Sequence, residues 1–316
     1  MEEENFNINN EEQTEKDLTP EERLRPKISP VAAAFLALFG ILVLYQGMGG
    51  ILTIVVLGAD LNKIDPTQLR LMTIAGQMLF ILLPTLILSR AVYTDVTTII
   101  RFKMPRISEL ALFFVGFLII TPAIQNISYI QSWIIEKLAA GGGAFKEVKD
   151  FFDSMDKLVG DSYGSFLTAK SFLDVFIIII AVAITPAICE ELFFRGFIQK
   201  SFELKWKPAA SIIVSSLVFA LYHFSPYGLF PLFALSLFLG YAAYKTNSVL
   251  VPVFIHFANN LFMVILYFIV GDEAMNARPE AGPAISAYVG LLFVNIIFLA
   301  AWLYFVKRFY KKPVIT

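Results

Sequence analysis

The sequence predicts an all-α polytopic membrane helix bundle of about eight transmembrane helices, on three observations. The 316 residues are 57% hydrophobic and only 16% charged, where a soluble domain carries roughly 25% charged residues, and the mean hydropathy is +0.70. Apolar residues gather into eight runs approaching the roughly 20 residues needed to cross a hydrocarbon core. Between these runs, basic loops alternate with acidic or mixed ones, the charge pattern of a chain that threads a bilayer repeatedly.

Taken in order, the spans are expected near 31–57, 71–89, 108–129, 171–198, 209–224, 227–245, 248–270 and 285–306. The first is long enough to tilt or bend near Gly47, Gly49 and Gly50. The fifth is short and carries His223 close to its end. Residues 1–30 are polar and mostly acidic, with no adjoining apolar core or small-residue cleavage site. They read as a disordered cytoplasmic tail rather than a secretory signal. Residues 31–310 then form a single membrane domain. One outer loop, 140–165, differs from the rest: after Gly141, Gly142 and Gly143, apolar residues from Phe145 to Val159 recur at helical spacing among lysines and acids. It predicts an amphipathic helix on the membrane surface that packs across neighbouring helices or lids the site.

Lysine and arginine accumulate on the cytoplasmic side of membrane proteins. Here they cluster before span one (Arg23, Arg25, Lys27), after span two (Arg90, Arg101, Lys103, Arg106) and after span four (Lys200, Lys205, Lys207). Lys245 follows span six, and Lys307, Arg308, Lys311 and Lys312 follow span eight. Both termini are therefore expected in the cytoplasm, with the cell membrane as the location. A single cysteine rules out an internal disulfide, and a net charge of −1 argues against a nucleic-acid partner.

The fourth span carries the chemistry. Glu190, Glu191 and Arg195 lie where hydrocarbon is expected, and a charge at the bilayer centre costs roughly 2.5–3.5 kcal/mol on insertion scales. Such residues face a protein interior or a water-filled cavity. Glu191 and Arg195 stand four apart with the acid N-terminal, the better order for an ion pair. Glu190 is turned by about 100° from Glu191, which leaves it available as a base. Thr185-Pro186, one turn earlier, bends the helix and opens room beside the acids. The only histidines, His223 and His256, both fall in expected spans. Each forms a four-residue pattern, Phe219 with His223 and His256 with Asn260, and so shares a helix face with its partner. Asn259 is offset by one position. Cys189 reads as a small buried hydrophobe rather than a nucleophile.

These residues resemble the CPBP family of intramembrane proteases, which includes type II CAAX prenyl endopeptidases and bacteriocin-processing or immunity proteins. The family pattern EExxxR matches Glu190, Glu191 and Arg195, FxxxH matches Phe219 and His223, and HxxxN matches His256 and Asn260. The likeness covers about residues 171–270, a CAAX-endopeptidase-like catalytic core. It implies an endopeptidase acting on a membrane-associated protein or peptide within the lipid bilayer. Glu190 and His223 would activate water, His256 and Asn260 would hold the oxyanion, and Glu191, Arg195 and Phe219 would support them. No cofactor is favoured. Zinc is the alternative, with His223, His256 and a glutamate as ligands, although no helix carries two ligands one turn apart. Two rival functions share these residues. One is a catalytically silent membrane interaction or immunity partner of the same fold. The other is a proton-coupled transporter, which should show paired repeats that this sequence lacks.

Overall fold

A computed structural model describes residues 24–58, 64–276 and 285–311. Among these residues the chain is helical and without strands. The helices are α1 (Pro30–Leu57), α2 (Pro66–Val92) and α3 (Ile107–Ala139), α4 (Ala144–Leu167) and α5 (Phe172–Glu203). They continue with α6 (Pro208–Leu221), α7 (Leu229–Thr246), α8 (Leu250–Gly271) and α9 (Ile285–Lys311). Seven are long and apolar enough to cross a membrane. Large apolar side chains such as Leu36, Phe39, Val55 and Phe293 are exposed on the bundle's outside, the surface a bilayer would cover.

Local chemistry sets the ends of these helices. Asp65 caps α2 by accepting the N–H groups of Thr67 and Gln68 at 2.9 and 3.2 Å, and Pro66 occupies the first turn, where its missing N–H costs nothing. The helix therefore begins ahead of the expected 71 and takes in Arg70. Helix α3 likewise runs past the expected 129 to Ala139. The expected fifth span is the largest departure. Helix α6 has 14 residues and is too short to cross alone. His223 lies beyond its end rather than inside a span. The helix closes in tight turns, His223 N–H to Ala220 C=O and Phe224 N–H to Leu221 C=O. Phe224 then turns left-handed at φ 48°, and Pro226 follows, which cannot extend a helix.

Part of the expected N-terminal tail, residues 24–30, packs on the bundle. Residues 1–23 lie outside the described residues, but from Leu24 the chain is held against the end of α2. The side chain of Leu24 is buried, its carbonyl accepts Thr94 N–H at 3.1 Å, and Lys27 N–H donates to Val92 C=O at 2.9 Å. The amphipathic 140–165 segment is α4, which packs against α2, α3 and α8.

Two apolar cores divide the bundle. The first joins α1, α2, α5 and α6 through residues such as Ala34, Ile41, Tyr93, Phe197 and Phe219. The second joins α3, α7, α8 and α9 through Phe113, Phe238, Leu239, Ile255 and Trp302. Close approach within the second depends on Gly116, where an added Cβ would lie 2.4 Å from the Trp302 ring. The seam between the cores, where α5 meets α7 and α8, is polar. At its foot sits Arg101, expected as one of the loop cations that set orientation. It is instead buried and ion-paired with Glu203, and its carbonyl accepts Val249 N–H at 3.0 Å. Burial lowers its pKa, with the charge and hydrogen bond of Glu203 opposing. Arg101 is therefore a packing element of the seam, and the remaining cations of that loop carry the orientation signal.

Candidate active site

Helix α5 departs from regular α geometry twice, with widened i→i+5 turns over Ile179–Ile184 and Leu192–Ile198. Widened turns of this kind gather at functional sites. The first has a cause in the sequence. Pro186 has no N–H to offer the carbonyl of Val182, four residues earlier. That carbonyl accepts the Asn260 amide from α8 at 2.9 Å. The proline thus creates the acceptor that ties Asn260 to α5. Asn259 donates to Asn260 Oδ1 at 3.1 Å, which orients the Asn260 amide group toward Val182.

Below this point, Glu191, Arg195, Gln199 and Glu203 recur every four residues and form one polar stripe down α5. Glu191 is fully buried. Its Oε1 accepts Arg195 Nη1 at 2.8 Å and His256 Nδ1 at 2.7 Å. Arg195 reaches on to Ser236 Oγ of α7 at 2.7 Å, and its guanidinium carbon lies 4.4 Å from the Phe219 ring centroid. Gln199 donates to Gly240 C=O at 3.0 Å and to Glu203 Oε1 at 2.8 Å. Gly240 lets these helices approach, since an added Cβ would lie 2.9 Å from Gln199 Oε1. Further hydrogen bonds to His256 and Ser236 offset part of the desolvation cost of an ion pair buried this deeply.

The aromatic ring of Phe219 stands between the two imidazoles, 4.7 Å from His223 and 6.1 Å from His256, centroid to centroid. Each histidine has one nitrogen committed. His256 Nδ1–H donates to the Glu191 carboxylate, and His223 Nδ1–H donates to its own helix at Phe219 C=O, 2.8 Å away. These bonds place a proton on Nδ1 of each ring and leave each Nε2 for other work. His223 is exposed, whereas His256 is buried.

Glu190 contrasts with its neighbour. It is half-buried, and its Oε2 is buried without a hydrogen-bond partner among the described residues. The second oxygen of Glu191 is in the same state, but the first is doubly bonded.

The structure thus brings Glu191, Arg195, Phe219 and His256 into direct contact, adds His223 through Phe219, and fixes Asn260 to the same helix as the acids. It does not bond Glu190 to His223. Sequence reasoning missed Ser236, Gln199 and the Val182 carbonyl. Ser236 and Gly240, four apart in an otherwise apolar helix, were the available signal for a face that receives polar groups. Among the described residues no three His, Cys, Asp or Glu side chains are grouped to hold a metal ion. The Glu191 oxygen nearest an imidazole is already shared between two N–H donors.

No curated protein and no solved structure matches this chain. Residues 172–262 match the family model described as type II CAAX prenyl endopeptidase Rce1-like, an interval that opens with α5 and closes just past Asn260. Over residues 172–262, this all-α bundle with its polar seam between α5, α7 and α8 is therefore similar to the type II CAAX prenyl endopeptidase Rce1-like family model.

Proposed function

We propose that the protein is an intramembrane endopeptidase that hydrolyses a peptide bond in a membrane-associated protein or peptide, with Glu190, His223, His256 and Asn260 as its catalytic residues. The observation that carries this reading is the unequal state of two adjacent acids. Glu191 is committed to Arg195 and His256, whereas the buried oxygen of Glu190 has no partner among the described residues. A desolvated carboxylate with no cation of its own is a suitable base for water.

Glu190 takes a proton from water as the oxygen attacks the scissile carbonyl. His223, at the Nε2 left by its Phe219 bond, takes that proton from Glu190 and passes it to the departing amine. The tetrahedral oxyanion needs donors aimed at it. The Asn260 amide supplies one N–H besides that given to Val182, and His256 supplies Nε2–H when doubly protonated. Glu191 fixes the orientation of that ring by accepting its Nδ1–H, and Arg195, which contacts Ser236 and Phe219, keeps Glu191 in place. No step is routed through a metal. Cytoplasmic termini, which the loop charges favour, require α6 and the turn after it to complete a crossing beside the seven longer helices.

The test compares protein termini in membranes containing the wild type or Glu190→Ala. Termini present only with the wild type are expected. Identical termini under several growth conditions would replace this reading with that of a catalytically silent membrane partner.

A further inference from the structure

His223 has little of its own to hold it: beyond the Phe219 contacts it sits in the exposed turn between α6 and α7, next to the left-handed Phe224. The turn is instead gripped by its neighbours. Gln131 of α3 donates to the carbonyls of Pro226 and Tyr227 at 3.4 and 3.2 Å. Gln46 of α1 donates to Tyr222 C=O at 3.3 Å. The remaining grip comes from α4. Tyr227 donates its hydroxyl to Asp153 Oδ1 at 2.7 Å, and its ring meets Phe152 edge-on at 6.0 Å. Lys149 holds the other Asp153 oxygen at 2.5 Å.

The ends of α4 suit an element that swings on one anchor. Gly142 and Gly143 precede it with φ of 75° and 65° and no neighbour within 4 Å of an added Cβ, a backbone conformation that glycine adopts without strain. After its last turn, Arg70 donates to the carbonyls of Phe166 and Thr168 and pairs with Asp174 of α5. Leu167 packs with Ile178 and Val264, next to Val182. The far end of α4 is therefore fixed beside the Asn260 anchor, and its middle is fastened to the turn that carries His223.

We propose that Asp153 and Tyr227 form a latch through which α4 holds the His223 turn, which makes both residues positioning residues for His223. The catalytic part of this inference rests on the peptidase reading above; the mechanical part does not. Undocking α4 frees the turn on one side while the Asn260 side stays anchored, so opening admits a substrate chain beside His223 without dismantling the oxyanion site.

Two variants test it in the full-length protein. Tyr227→Phe removes the hydroxyl and keeps the ring, and Asp153→Leu removes both acceptor oxygens at similar size. Hydrogen exchange over residues 222–230 should accelerate about tenfold in each, the equivalent of one ordinary hydrogen bond. The double variant should exchange no faster than either single one. Cleavage of a membrane peptide identified by the terminus comparison should lose about tenfold in kcat with KM unchanged. Unchanged exchange in both variants overturns the latch. Faster exchange with unaltered kcat overturns the positioning role. Faster, non-additive exchange in a wild-type background that cleaves nothing upholds the latch and defeats the peptidase reading instead.

Discussion

The two halves of the candidate site are built on opposite terms. The inner half, Glu191 with Arg195, His256 and Ser236, is buried, ionic and cross-linked through Glu191 Oε1 and the Arg195 guanidinium. The outer half, Glu190 with His223, is half-buried or exposed and almost unbonded within the protein. Adjacent residues of one helix thus do different kinds of work. A carboxylate held by a guanidinium and an imidazole is a fixed strut, whereas one without partners keeps its free energy of interaction for a ligand. The contrast separates residues whose loss should reduce stability from residues whose loss should reduce turnover.

The sharpest way to break this contrast is to make the two acids neutral one at a time. Glu190→Gln should lower kcat by about 10²–10⁴-fold, the span of general base catalysis, with an unchanged melting temperature. Glu191→Gln should instead cost about 3–5 kcal/mol of stability, since Arg195 would be left buried with its charge unopposed. Turnover and thermal unfolding of both purified variants decide the matter. A stable, inactive Glu191→Gln beside an active Glu190→Gln would exchange the roles assigned to them. A chelator added to the wild type in the same assay should leave turnover unaltered; loss reversed specifically by zinc would put a metal at His223 and His256.

A smaller effect tests the seam on which the inner half stands. Gly240→Val would drive a side chain into Gln199 Oε1 and the Ile212 methyl group, and overpacking of this kind costs about 1–3 kcal/mol. Lower detergent stability is expected with kcat per folded molecule retained. A large fall in kcat at normal stability would show that the polar stripe governs catalysis as well as packing.

The smallest effect lies outside the membrane spans, where Asp95 caps the turn Val96–Ile99 through Thr98 N–H at 3.0 Å and the Thr97 hydroxyl at 2.7 Å. Burial pushes its carboxyl up, but the hydrogen bonds from Thr98 and Thr97 prevail and hold it below the ordinary value. Its contribution is then fully present above the unfolded pKa of about 3.9 and disappears as pH falls through the lower folded value. Asp95→Ala should cost about 1 kcal/mol at neutral pH. Its unfolding midpoint should converge on that of the wild type as the solution is acidified, and parallel curves would remove the cap from the account.

What the sequence made legible follows from locality. Glu191 and Arg195 lie one helical turn apart, so their pairing could be written down from spacing. The division between Glu190 and Glu191 follows equally from the angle between neighbours on a helix. His256 and Glu191 are 65 positions apart, and only the packing of α8 on α5 joins them, so no local pattern announced the strut's third member. The short α6 was mistaken for a span because its apolar run continues through Leu221 and Tyr222 to Phe224. The stop lies in backbone geometry, a left-handed residue ahead of Pro226. Arg101 was misplaced for a related reason. A cation in a basic loop looks solvated until its partner Glu203, a hundred residues later, is brought beneath it. The Val182 carbonyl was invisible as a candidate because it is a backbone group, although Pro186 had already marked it as lacking one donor.

The stripe on α5 also bears on how the chain enters the membrane during synthesis. A helix with Glu191, Arg195 and Glu203 would partition poorly if each charge met lipid alone. Arg195 and Glu191 sit four apart in the same segment, so the helix arrives with that pair already able to form. Arg101, the counter-ion of Glu203, is translated before α5 and waits at the membrane face. Ser236 and His256 emerge later, when α7 and α8 are made. The stripe's own charges, Glu191 with Arg195 and Glu203 with Arg101, therefore balance before α7 and α8 are made, and Glu190 is the one acid of this helix outside that balance.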